Sequence, residues 1–513
     1  MPPAPRTPVP PPGRGAPTPP IDLPDGPISD RIGGPHVEVA DDVMRRLSDA
    51  CAAVYTDERH LAEAGRDWWP LAMGWALDGQ VGHRPAVVAS ATSVDEVSSV
   101  LAICDQAGIP VTTAAGRSGV LGGSVPVFGG VVLDVCGLDS TLEVDHRSLL
   151  ADVSAGVFGD VLEHRLRTEH DVTLGHWPQS MALSTVGGWL ACRSAGQLSN
   201  RYGKIEDMVV GLTAVLPDGR VVRTGGAPRA AVGPDLTQLF VGSEGTLGVI
   251  CDARLRLAPA PQAEARAAWS YPSFSAGLAA CRRVIQRGAT PAALRLYDAF
   301  ESNRHFGELG ISGDRHVLLV LDEGDPTLLD ATMAVVDEEC GAAEGAERHD
   351  ERLVEHWVER RNDVAALEEL VRRGYVVDTM EIAAPWGALD AIYDTATAAI
   401  GNVEGALVAS AHQSHAYRDG ACLYFTFAGQ PPPERKDAFY RECWETGTRA
   451  VLAGGGALSH HHGVGLNRGR FMAGALGSGF DVLVALKQAL DPNGILNPGK
   501  LGLPSPFGEA PWP

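Results

Sequence analysis

Positive charge is scarce in this 513-residue chain: 42 lysines and arginines stand against 64 aspartates and glutamates, a formal net charge of -22. With no basic run to track a phosphate backbone, nucleic acid is not an expected partner. Long apolar runs are missing too. No window approaches the ~18 consecutive apolar residues that a spanning helix needs, so any membrane contact would be peripheral. The nine cysteines are scattered and form no Cys-x-x-Cys pair. No secretory signal precedes them, which points to reduced cytoplasmic thiols rather than a disulfide frame. The remainder is 45% hydrophobic and 21% charged, a globular composition in a chain too long for one core.

Proline is concentrated where aliphatic residues are few. Residues 1–27 hold 12 of the 36 prolines, and residues 1–36 read as a disordered leader. Residues 37–80 read as a helical segment, from Val43, Leu47, Ala50 and Val54, whose Trp68, Trp69 and Trp75 cap a core. Strands are expected at 85–88, 109–112, 130–134 and 149–153, helices at 94–107 and 159–169, and a hairpin through Pro217-Asp218-Gly219. Parallel crossovers followed by a late hairpin make this part α+β rather than a doubly wound Rossmann sheet. Further strands are expected near 292–296, 317–321, 379–382 and 421–427, among helices at 274–287, 328–340, 386–399 and 436–453. A helix over 480–490 ends the chain.

Three glycine-rich segments stand out. The first is Thr113-Ala114-Ala115-Gly116-Arg117-Ser118-Gly119, ahead of Gly122-Gly123. The second starts at Gly175-His176-Trp177-Pro178 and continues through Gln179-Ser180-Met181-Ala182-Leu183-Ser184-Thr185 and Val186-Gly187-Gly188-Trp189. It ends with Cys192-Arg193-Ser194-Ala195-Gly196. The third is Gly242-Ser243-Glu244-Gly245-Thr246-Leu247-Gly248-Val249-Ile250. Small residues let the backbone approach a flat ligand, and N–H groups freed after a strand suit a pyrophosphate, with Arg117 adding charge. An extended dinucleotide fits this pattern. The first segment is not Gly-x-Gly-x-x-Gly and no acidic ribose ligand follows it, so NAD on a Rossmann fold is disfavoured.

Four more motifs complete the pattern: Tyr202-Gly203, Ile205-Glu206-Asp207, Asp419-Gly420-Ala421-Cys422-Leu423-Tyr424-Phe425 and Ser459-His460-His461-His462-Gly463-Val464-Gly465. From about Val81 onward the chain resembles the PCMH-type (vanillyl-alcohol oxidase) FAD-binding superfamily, and within it the alkyldihydroxyacetonephosphate synthases. The resemblance implies an α+β fold: a two-subdomain PCMH-type FAD-binding domain over 81–261, then an α/β substrate (cap) domain over 262–455. Residues 456–513 would supply the histidine motif and a helical tail. It implies FAD contacted by residues 113–119, 179–185, 192–195 and 244–250, with His176 in the flavin-facing motif. The first loop lacks the histidine that tethers FAD in some members, so the cofactor is expected to be non-covalent. Tyr424 is carried over as proton donor and acceptor, His460, His461 and His462 as essential site residues, and Arg295 as a supporting one. A lipid-like substrate and a homodimer are also implied.

The implied reaction exchanges the acyl chain of acyl-dihydroxyacetone phosphate for a fatty alcohol without net redox. A proton must leave the carbon beside the ketone, and tyrosine and histidine suit that transfer. Two other readings stay open: an FAD-linked oxidase or dehydrogenase of a 2-hydroxy acid or other alcohol, and a non-catalytic flavoprotein. Tyr424 could be a core tyrosine, and Cys192 reads as a small packing residue. His460 and His462 could hold zinc with His412 and His415. Related 2-hydroxyacid dehydrogenases, however, have Glu-His where this chain has His461-His462, so a carboxylate ligand is lost and no metal is expected. One departure concerns the substrate: Leu367-Glu368 stands where the family has an arginine for the phosphate. Arg360, Arg361, Arg372 and Arg373 are the nearby substitutes, or else surface ion-pair partners.

Overall fold

The computed structural model describes residues 21–363 and 365–510. Three sheets carry the architecture. The first has four strands in the order Ala53–Tyr55, Val87–Ser90, Val131–Asp134, Val111–Ala114, the last three parallel. Its crossover helix Val94–Ala107 is fixed at both ends: the Ser93 hydroxyl accepts from the Glu96 N–H at 3.2 Å, and Gly108 closes it at φ +64°. Val97, Val100, Leu101 and Cys104 form its buried stripe. The second sheet is antiparallel, in the order Val221–Gly225, Val209–Val215, Val249–Arg256, Leu150–Ser154, Leu142–Asp145. The expected Asp-Gly hairpin forms its edge.

The third sheet has seven antiparallel strands. Their order is Glu347–His349, Ala263–Tyr271, His316–Gly324, Ala293–Tyr297, Ala406–Ala416, Gly420–Gly429, Val376–Pro385. Helices Phe274–Gln286, Pro326–Gly341, Trp386–Gly401 and Lys436–Ala453 pack on it. Their apolar faces and the sheet share one large core that includes Leu294, Leu389, Phe425, Phe439 and Trp444.

The N-terminal region differs from expectation in two ways. The stretch read as one helical pattern is helix Asp41–Ala50, strand Ala53–Tyr55 and helix Glu58–Ala64. Pairing of Ala53 with Ser90 and of Tyr55 with Val88 draws the middle into the sheet. Of the expected leader, residues 1–20 lie outside the described residues, whereas 21–36 pack against the protein. Ile21 and Ile32 are buried, Ser29–Asp30 pairs with Gln80–Val81, and Arg66 donates to the Ile21 carbonyl. This region also reaches helix Lys436–Ala453. Arg31 pairs with Asp437, Trp75 Nε1 donates to Asp437 at 3.0 Å, and Trp69 Nε1 donates to the Tyr440 hydroxyl at 2.7 Å.

The tail closes back on the glycine-rich segments. Lys487 is the buried residue of helix Ser478–Leu490. Its ammonium donates to the Asp491 carboxylate, to the Thr246 carbonyl at 2.8 Å and to the Leu496 carbonyl at 2.7 Å. Leu496 in turn bridges to Val111, on the strand that feeds the first glycine-rich segment. Among the described residues no single helix is long and apolar enough to cross a membrane. Breaking a buried pair by removing one partner costs about 3–5 kcal/mol, whereas an exposed pair contributes about 0–1 kcal/mol. Lys487→Met is therefore expected to lower the thermal midpoint clearly. Arg372→Gln, which loses the exposed pair with Glu368, is expected to leave it nearly unchanged, with circular dichroism as the measurement.

Candidate active site

The three glycine-rich segments meet at a cavity of about 630 Å³. All of residues 113–119 line it, as do Gln179, Ser180, Leu183, Ser184, Thr185, Cys192, Ser194, Ala195, Glu244, Gly245, Gly248, Val249 and Ile250. The first two segments touch: a Cβ on Gly116 would stand 2.1 Å from the Leu183 carbonyl oxygen, so no larger residue fits there. Thr113 Oγ1, Arg117 Nε, Trp68 Nε1 and Asn497 Oδ1 belong to wall residues and are buried without hydrogen-bond partners among the described residues. Gly123 leaves open space where a Cβ would be. Unsatisfied donors and acceptors beside a glycine-lined wall match the needs of an extended, polar dinucleotide.

Seven of the residues named from the sequence stand off the cavity wall. His176 lies behind Ser194, its Nε2 2.7 Å from the Ser194 hydroxyl. Met181 and Leu247 are core residues, and Ala182 is also off the wall. Arg193 takes the left-handed helix cap and pairs with Glu206, while the Thr246 hydroxyl donates to the Ser243 carbonyl. His460 is turned away, its Nε2 2.9 Å from the Tyr417 hydroxyl and its carbonyl accepting from Lys204. Cys192 is on the wall, but burial, with Glu244 and Asp67 nearby, raises its thiol far above the ordinary range, so it is unreactive there.

Strand pairing assembles the chemistry. Tyr424 is opposite Glu381 on one neighbouring strand and His412 on the other. Its hydroxyl accepts from Thr379 Oγ1 at 3.1 Å and lies 3.3 Å from His462 Nε2. The His412 ring stacks on Tyr424 with centroids 4.9 Å apart. Arg295 Nη2 donates to His412 Nε2 at 2.6 Å, which leaves Nδ1–H to donate to Glu301 at 2.7 Å. The histidine loop hangs from carboxylates: Glu381 accepts from the N–H groups of His460, His461 and His462, and Glu244 from those of Val464 and Gly465. Burial alone would raise Glu381, but Arg468, His462 and those N–H groups hold it below the usual carboxylate range. Burial pulls His462 down to about 4 against the opposing pull of Glu381. It also pulls His412 to about 4 and puts His415, His460 and His461 well below the usual value. Burial pushes the Tyr424 phenol up. The cluster is thus neutral at neutral pH.

The donor atoms of His415, His460 and His461 converge within 4.8 Å. That trio differs from the four histidines the sequence suggested, because His412 is engaged by Glu301 and His462 turns toward Tyr424. It contains no carboxylate, and Lys204 and Arg295 add positive charge around it, which disfavours a cation. Sequence reasoning passed over Thr379, Trp357 and the anchoring role of Glu381. A cue existed in Asp378-Thr379-Met380-Glu381-Ile382, where charged residues interrupt a buried strand.

Comparison with known proteins places the chain in a family. Residues 85–225 match the family described as FAD binding domain, and 260–501 that described as FAD linked oxidases, C-terminal domain. An uncharacterized FAD-linked oxidoreductase of Escherichia coli O157:H7, YgcU, is 32% identical over 434 residues, covering 81% of this chain and 89% of the relative. Alkyldihydroxyacetonephosphate synthase of Dictyostelium discoideum is 28% identical over 463 residues, covering 82% and 74%. A solved alkyldihydroxyacetonephosphate synthase superposes with a TM-score of 0.76 at 24% identity, covering 93% and 90%. The cofactor is therefore FAD, and the chain belongs to the FAD-linked oxidase family with a PCMH-type FAD-binding domain.

Proposed function

We propose that this protein is a redox-neutral alkyl transferase of the alkylglycerone-phosphate synthase type, replacing the acyl chain of an acyl-dihydroxyacetone phosphate with a fatty alcohol. The observation that carries this reading is the Tyr424–His462 pair on the cavity wall. Thr379 donates to the phenol oxygen, so the phenol's own proton is free to point at His462. Glu381, 3.6 Å from His462 Nδ1, favours the proton on that nitrogen and leaves the Nε2 lone pair toward Tyr424. As the phenol passes its own proton to His462 Nε2, its oxygen can take up the proton that leaves the carbon beside a ketone, and the reverse transfer returns it. In the exchange the bond between the dihydroxyacetone carbon and the acyloxy oxygen breaks, the carboxylate leaves with that electron pair, and the alcohol oxygen forms the ether bond to the same carbon, its proton passing through the same pair to replace the one the carbon lost. FAD supplies an electron-accepting ring system. Residues 113–119 with Glu244, Gly245, Gly248, Val249 and Ile250 would hold it without a covalent tether, and the apolar residues Trp68, Met73, Leu367 and Leu370 on the wall suit an alkyl chain.

The likeness to an FAD-linked oxidoreductase supports a second reading, oxidation of a 2-hydroxy acid or other alcohol, in which the same pair would accept the hydroxyl proton. Anaerobic mixing separates the two. Incorporation of labelled alcohol without net bleaching of the flavin band is expected; stoichiometric bleaching with a ketone product would favour the oxidase. Tyr424→Phe is expected to cut turnover by about 100- to 10,000-fold while the purified protein stays yellow. His462 must be neutral to accept a proton, and its pKa is depressed to about 4. Turnover is therefore expected to be flat through neutral pH and to fall as pH drops toward that value, measured as kcat/KM against pH. Acid precipitation is expected to release all of the flavin into the supernatant.

A further inference from the structure

Arg295, Arg304, Arg360 and Arg361 all line the cavity, and among the described residues none pairs with a carboxylate. The partners they have are neutral side chains: Arg295 donates to His412 at 2.6 Å and Arg304 to His305 at 2.8 Å. Acidic groups outnumber basic ones by 64 to 42 in this chain, so a shortage of carboxylates does not explain it. Two of the four are drawn inward. The guanidinium carbons of Arg295 and Arg361 lie 6.0 and 5.6 Å from the centre of the Trp357 ring, and Arg361 lies 5.0 Å over Trp177. Each also buries a nitrogen, Arg295 Nε and Arg361 Nη1, that has no acceptor. Burial lowers Arg361 to about 10, with Glu323 and Glu264 opposing, so it stays charged at neutral pH. Cations held this way on aromatic rings are costly to bury alone and gain from an incoming anion.

We propose that Arg295 and Arg361, steadied against Trp357, form the seat for a compact oxyanion on the substrate, a phosphate monoester or a carboxylate. The proposal rests on the reading that substrate is turned over in this cavity. A guanidinium fork matches either oxyanion with two parallel hydrogen bonds. Leu367, where the resemblance to the synthases implies an arginine, packs with a separate apolar cluster that includes Trp68, Met73 and Val371. Head-group binding has thus moved to other positions, and position 367 belongs to the apolar wall.

The test uses the flavin-loaded protein and the shift of its visible absorption at constant ionic strength. It is titrated with dihydroxyacetone phosphate, with D-lactate and with uncharged dihydroxyacetone. At least one anion is expected to give a saturable shift that dihydroxyacetone does not, and the anion that does so identifies the head group. Arg361→Gln is expected to weaken that anion by about 10- to 100-fold, the loss of a charge-assisted hydrogen bond. Arg361→Lys, which keeps the charge but not the fork, should fall between. In the wild-type protein inorganic phosphate should compete with the anion, a readout that does not depend on a variant folding. The proposal is overturned if neither anion gives a saturable shift, if dihydroxyacetone binds as tightly as its phosphate, or if both Arg361 variants keep wild-type anion affinity. None of these readouts needs alkyl exchange. An anion seat without exchange would sink the synthase reading alone, and exchange with unaltered anion affinity would sink the seat alone.

Discussion

Glu381 and Glu244 accept five backbone N–H groups from residues 460–465, and the rest of the active site depends on that double clamp. A loop containing three histidines and two glycines would otherwise sample many conformations, each with its own arrangement of rings. The two carboxylates come from different parts of the fold, one from the third glycine-rich segment and one from the seven-stranded sheet. Their shared loop therefore registers that segment against the sheet that carries Tyr424. Gly463 and Gly465 take left-handed backbone angles of +81° and +53°, and a Cβ on Gly465 would stand 2.4 Å from the Leu121 carbonyl oxygen. The glycines let the loop turn tightly enough for both clamps to close.

Around that loop the electrostatics are unusual for so acidic a protein. Five histidines, His412, His415, His460, His461 and His462, are held neutral by burial, while Lys204, Arg295 and Arg468 supply positive charge close by. Arg468 is fully buried, donates to Glu381 at 3.1 Å and lies 4.9 Å over the Trp444 ring. Carboxylates offset much of that charge: Glu381 accepts from Arg468, Glu301 stays below the usual carboxylate range beside His412 despite its burial, and Lys204 pairs with Glu206 at 3.1 Å. What the cluster offers a substrate is a set of neutral proton acceptors.

Much of this was readable in the sequence wherever local chemistry decides structure. Helix Val94–Ala107 announces itself through Ser93, Glu96 and Gly108, and Lys436–Ala453 through an amphipathic spacing that continues across Gly447. Strand Ala406–Ala416 could not be read that way. Alanine, serine and histidine dominate it, and it is a strand because Ala293–Tyr297 and Gly420–Gly429 bond to its two edges. The same division runs through the site. Glycines and consecutive histidines mark their own loops, so the cavity wall was visible as three motifs. The residues that tune it come from elsewhere in the chain. Lys204 looks ordinary in sequence, Thr379 and Glu381 show only as polar residues inside a buried strand, and Arg361 cannot be told from Arg360, Arg372 or Arg373 until Trp357 and Trp177 fold against it.

The packed region between Ile21 and Val81 alters what an amino-terminal trim of this protein amounts to. It contributes Trp68, Pro70 and Met73 to the cavity wall, and through Arg31, Trp69 and Trp75 it is fastened to the helix that begins at Lys436. A shortened form starting at Val87 would keep every glycine-rich motif and the five site histidines. It would nonetheless have lost one side of the chamber in which they work and the stitches that join its two halves.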